Sequence, residues 1–127
     1  MTVAWCFDDV AGKGTDAALG LLARSSARVP GIWTLEVANV LLGAESRGRI
    51  TVADGTRFLA LWVALPITVD EGASGRALRE TLALARQHGL SSYDAAYLEL
   101  ALRDGVPLAT RDEDLARATH SVSLTVL

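Results

Sequence analysis

Short apolar runs of strand length alternate along this chain with longer stretches whose apolar residues recur at helical spacing, and that alternation restricts the fold more than any other feature. Strand readings fall at 29–32, a brief strand or turn around Pro30-Gly31, then at 66–70, 106–110 and 123–127. Helix readings fall at 15–27 through Ala18, Leu21 and Leu22, at 33–46 through Leu35, Val37, Val40 and Leu41, and at 52–65 through Phe58, Leu59, Leu61 and Trp62. Three more lie at 73–88, 93–102 and 112–119, with Gly89 and Gly105 placed to end the first two. The opening run 3–7, ahead of Gly12 and Gly14, reads as a short helix and a loop. Parallel strands need crossover connections, so strands alternating with helices predict an α/β fold with a mainly parallel central sheet covered by helices.

At 127 residues the chain has the length of one domain, expected to span 1–127. Half of the residues are apolar (50%) and 21% are charged, a profile for a packed globule and against a disordered tail. No apolar run approaches the roughly 20 residues that cross a bilayer, and no basic region precedes an apolar stretch, so a cytoplasmic protein without a membrane partner is expected. Cys6 is the only cysteine, which excludes an intramolecular disulfide and a thiolate metal cluster. A net charge of −3 argues against a broad basic face for nucleic acid. Contact with phosphate would have to be local, through arginines such as Arg47, Arg49, Arg103 and Arg111.

Three acids fall where such a sheet places a site: Glu36 early in one helix, Asp94 at the start of another and Asp112 just after a strand. Carboxylates that converge repel unless a cation neutralises them, and an oxygen-lined site suits Mg²⁺, with Mn²⁺ as the alternative. Such an ion polarises a phosphodiester and lowers the pKa of a bound water, so hydrolysis would need no histidine. Each acid also has a plainer reading. Glu36 could be a solvated helix residue, and Asp94 and Asp112 could each cap a helix. Glu113 and Asp114 read as first-turn acids, Trp5, Trp33 and Trp62 as core or interface residues, and His88 and His120 as helix-end residues.

Trp33-Thr34-Leu35-Glu36-Val37-Ala38-Asn39, Ser92-Tyr93-Asp94-Ala95-Ala96-Tyr97 and Pro107-Leu108-Ala109-Thr110-Arg111-Asp112 resemble, in order and spacing, successive motifs of VapC-type PIN-domain ribonucleases. That resemblance implies a PIN-like three-layer sandwich with Glu36, Asp94 and Asp112 as metal-binding, catalytic acids. Asn39 and Thr110 would support the pocket, and Arg111, beside Asp112, is the best candidate for an RNA phosphate. It further implies a magnesium-dependent endoribonuclease toxin of a type II toxin-antitoxin system, with RNA as substrate, a VapB-like antitoxin as partner and a homodimer as the working form.

The N-terminus departs from that pattern. Such proteins begin with a short apolar strand ending in Asp-Ala-Ser-Val, and Thr2–Asp9 matches the segment C-terminal to that strand, so the first strand and its catalytic aspartate are expected to be absent. Asp8 and Asp9 are poor substitutes. The natural start is then expected upstream by roughly five to nine residues, about one strand. The alternative is an N-terminally truncated or inactive PIN-like binding protein that retains antitoxin or dimer contacts. A phospho-receiver would need a lysine near its last strand, and Lys13 is the only one in the chain. A haloacid-type phosphatase would need Asp-x-Asp after its first strand, which is lacking.

Overall fold

The computed structural model of the protein describes residues 1–6, 20 and 22–127. Among these, β1 (Thr2–Trp5), β2 (Ser26–Pro30), β3 (Ile67–Asp70) and β4 (Leu108–Ala109) form one sheet in the order β3-β2-β1-β4, and every pairing is parallel. Ala4 stands opposite both Arg28 and Leu108. The N–H groups of Ala4 and Cys6 donate to the carbonyls of Pro107 and Ala109, both at 2.9 Å.

This overturns the expectation for residues 3–7. The run read as a short helix is strand as far as Trp5, and the central position expected to be empty is filled by Thr2–Trp5; Phe7 lies outside the described residues. A short apolar run has no period that separates buried helix from buried strand. The decision falls to β2 and β4, whose facing edges would otherwise keep unpaired backbone groups in the interior.

The remaining elements are helices α1 (Ile32–Ser46), α2 (Val52–Val63), α3 (Ala73–Arg76), α4 (Leu82–His88), α5 (Ser92–Asp104) and α6 (Glu113–Ser121). A π-helical segment, Ala77–Thr81, joins α3 to α4, a feature that apolar spacing does not reveal. Helix α2 starts at a capping box in which Thr51 and Asp54 satisfy each other's backbone N–H groups. Gly89 and Gly105 end α4 and α5 at φ 67° and 64°, the left-handed conformation that a Cβ disfavours.

Of the helix expected at 15–27, Gly20 and Leu22 are helical, Ala18 and Leu21 lie outside the described residues, and Ser26 and Ala27 belong to β2. The strand expected at 106–110 shortens to Leu108–Ala109, and that at 123–127 to a single bridge between Val126 and Leu108. Ser123, at φ 64°, breaks the extended run.

Trp5 stacks on Trp62 of α2 with ring centroids 5.3 Å apart and meets Trp33 of α1 at 6.1 Å, which pins both helices to the central strand as core contacts. Helix α5 packs across β1, β2 and β4, and its Tyr97, Leu98, Leu100 and Ala101 are fully buried.

An ionic cluster fastens β3, at the edge of the sheet, to helix α5. Asp70, the last residue of β3, accepts two hydrogen bonds from the Arg103 guanidinium at 3.0 and 2.8 Å and one from Arg28 at 3.0 Å. Arg103 also grips Glu99 one turn earlier, at 2.8 and 2.9 Å, and Arg28 reaches Asp104 at 2.7 Å. The Arg103 hydrogen bonds hold the Asp70 carboxyl below its ordinary value of 3.8, against burial, which acts the other way. Because the folded-state value is lowered, the stabilisation is intact at neutral pH and is lost as pH falls below about 4. Asp70→Asn should therefore lower unfolding free energy at pH 7 by about 2–3 kcal/mol. It should also flatten the acid limb of a denaturation-against-pH profile, and an unchanged acid limb would refute this assignment.

Candidate functional site

Helix α1 leaves directly from the carboxyl end of β2, and α6 comes after β4. Helix α5 runs back against the strands before feeding β4, so its first turn also lies at the carboxyl edge of the sheet. The order β3-β2-β1-β4 sets α1 and α6 on either side of β1 at that edge, where open α/β sheets place their ligands. Glu36, Asp94 and Asp112 each sit in the opening turns of one of these helices or at its cap.

Glu36 is half-buried, and its Oε1 accepts a short hydrogen bond from the hydroxyl of Tyr97, a fully buried residue of α5. Asp94 precedes Tyr97 by three positions and shares its helix face. The two acid-bearing helices are thus linked through one phenol. In the sequence Tyr97 closes the Ser92–Tyr97 motif with no role of its own assigned to it. The signal for its role is its type, because a buried tyrosine needs a partner for its hydroxyl.

The cap of α5 is Ser91, whose hydroxyl accepts from the Asp94 N–H at 3.1 Å, so Asp94 is a first-turn acid and not the cap. Asp112 does cap α6: its Oδ1 accepts from the Leu115 N–H at 2.8 Å, while its own N–H donates to the Thr110 hydroxyl at 3.1 Å. Thr110 therefore fixes the loop that presents Asp112. Asn39 is exposed on the helix that carries Glu36, and no hydrogen bond joins it to the acids among the described residues. Arg111 is exposed, as phosphate contact requires. Arg103 is instead committed to Asp70 and Glu99, which hold it charged. Asp114 pairs with Arg117 at 2.9 Å on the surface, in keeping with a first-turn acid.

Among the described residues, no three His, Cys, Asp or Glu side chains are gathered closely enough to enclose a metal ion. The acids line one edge, and Glu36 and Asp112 each have a hydrogen-bond donor. Asp8 and Asp9, which come after β1 in the sequence, lie outside the described residues. The donor chemistry, carboxylate oxygens on rigid helices, suits a hard divalent cation.

A parallel α/β sheet with acids at its carboxyl edge defines the class, and residues 8–120 match the family model for the PIN domain. The chain belongs to the PIN-domain family. It is 35% identical over 115 residues to "Ribonuclease VapC1" of Mycobacterium tuberculosis, in strain CDC 1551 / Oshkosh and equally in strain ATCC 25618 / H37Rv, covering 87% of this chain and 83% of each relative. This likeness makes it a VapC-type member. The crystal structure of PAE2754 from Pyrobaculum aerophilum has the same fold, with a TM-score of 0.66 and 24% identity over 93% of this chain and 87% of that one. PIN nucleases generally use divalent metal ions.

If Tyr97 positions Glu36 for an ion, Tyr97→Phe should weaken Mn²⁺ binding in a calorimetric titration about tenfold while leaving the circular dichroism spectrum unchanged. An unaltered titration would limit the phenol to packing.

Proposed function

We propose that this protein is a magnesium-dependent endoribonuclease, the toxin of a type II toxin-antitoxin pair, working in the cytoplasm. The observation that carries this reading is the Tyr97–Glu36 hydrogen bond, which ties the helices of Glu36 and Asp94 together at the sheet edge where Asp112 also lies. The naming of its relatives as ribonucleases supports RNA as the substrate. Glu36, Asp94 and Asp112 would hold the cation, Mg²⁺ or Mn²⁺. When bound, that ion would lower the pKa of a water and neutralise charge on the leaving oxygen.

The protein's own residues then have distinct tasks. Tyr97 orients Glu36, and Thr110 and the Leu115 N–H fix Asp112. Arg111 offers its guanidinium to a phosphate of the strand, and Asn39 lies near enough in sequence to Glu36 to assist it. Hydrolysis adds the water oxygen to phosphorus, and the displaced ribose oxygen leaves with a proton.

A VapB-like antitoxin and a second copy of the chain are the proposed partners. The apolar side chains left outward by α1 and α2, Leu42, Leu61 and Val63, support such contacts. The second reading is a non-catalytic binding protein of the same family.

Incubation of the purified chain with structured RNA should give fragments with Mg²⁺ and none with chelator, and Asp94→Asn should reduce the rate at least about a hundredfold. Absence of cleavage with both Mg²⁺ and Mn²⁺ from a folded chain that still binds its antitoxin would decide for the binding protein. Arg111→Ala should weaken RNA binding and lower its salt dependence by about one phosphate contact, without loss of metal. Unchanged RNA affinity would remove Arg111 from the interface.

A further inference from the structure

Beside the acidic edge lies a cavity of about 410 Å³, set between the carboxyl ends of β2 and β3 and the first turns of α1 and α5. Leu35 and Tyr93 form part of its wall, and each immediately precedes one of the acids, Glu36 and Asp94. The π-helical segment supplies Ala77 and Thr81 from the opposite side, and irregular turns of this kind recur at functional sites. We propose that this cavity is a nucleobase subsite, which takes one base of an RNA strand while the adjoining phosphate faces the acids. The proposal rests on the nuclease reading of that edge.

The chemistry of the lining selects a base over a phosphate. Among the described residues no arginine or lysine borders the cavity, and two carboxylates do, Asp70 and Glu71. Asp70 is already bound by Arg28 and Arg103. Glu71 is exposed and forms no ion pair among the described residues, so it is available to accept hydrogen bonds. An anion would be repelled here, whereas an uncharged ring with N–H donors at its edge would not. Carboxylates accept from exocyclic amino groups in this way, as with the N4 amine of cytosine. Tyr93 brings an aromatic ring to the lining, and at 59% exposure for Tyr93 and 63% for Leu35 both are reachable from solvent. Unstacked RNA bases are characteristically held by stacking on aromatic side chains, and the volume falls within the range of small-ligand pockets. The expected preference is for cytosine, adenine or guanine over uracil, which has no exocyclic amine.

The test measures binding and cleavage separately on the full chain. Fluorescence anisotropy with chelator present would compare a labelled tetraribonucleotide with versions in which each ribose in turn lacks its base. One abasic position should weaken binding about tenfold. That loss should shrink to within about twofold in Tyr93→Ala and in Ala77→Trp, which would fill the cavity. Should Ala77→Trp fail to fold, Tyr93→Ala, at an exposed residue, still decides. Positional dependence that persists in the variants overturns the subsite, as does binding that ignores every abasic substitution. A change in oligomeric state in Ala77→Trp with base dependence retained also overturns it and assigns the cavity to a second copy. Parallel incubation with Mg²⁺ keeps the two readings apart. Base-dependent binding without cleavage supports the subsite and sinks the nuclease, whereas cleavage indifferent to the base does the reverse.

Discussion

A strand buried within a parallel sheet can send its backbone hydrogen bonds only to the strands on either side, and β1 meets that demand with β2 and β4. Ala4, Trp5 and Cys6 are each no more than 5% exposed, so water cannot substitute for those neighbours. Parallel pairing then requires the chain to cross back after each strand, and the crossings bring helix starts to the carboxyl edge. The position of every candidate acid is a consequence of this arrangement. Trp5 adds a second constraint, because its stacking on Trp62 and its contact with Trp33 fix α1 and α2 against the same strand.

Two polar links complete the frame at different places, and they differ in character. The Asp70–Arg103–Glu99 cluster is a network of paired charges with several hydrogen bonds each, and it locks the end of β3 to the last turns of α5. Its planar guanidinium admits only a narrow range of geometries, so it sets the orientation of α5 as much as it stabilises it. The Tyr97–Glu36 hydrogen bond lies nearer the start of α5 and uses one neutral and one charged group. The first holds the helix, and the second aims a side chain. The carboxyl edge that carries the acids and the cavity lined by Leu35 and Tyr93 lie side by side.

Much of the fold is legible in the chain. The helical stretches expected at 33–46, 52–65, 73–88, 93–102 and 112–119 are present, with Gly89 and Gly105 ending two of them as expected, because helical periodicity and left-handed glycines are local properties. Residues 3–7 mislead because a short apolar run carries no period of its own. The π segment is invisible because it changes hydrogen-bond partners without changing the apolar pattern. Arg103 reads as a surface arginine until its partner Asp70, 33 positions away, is brought to it.

The sequence by itself determined the family and the alternation of strand and helix, since motif spacing and apolar periodicity are written along the chain. Tertiary structure alone decided that Thr2–Trp5 is the central strand, that Tyr97 holds Glu36 and that a cavity opens beside Leu35 and Tyr93. The physical reason is common to these cases. Each depends on groups far apart in the chain, including a pair separated by 61 positions, whose meeting is fixed by burial and hydrogen bonding and leaves no trace in local periodicity.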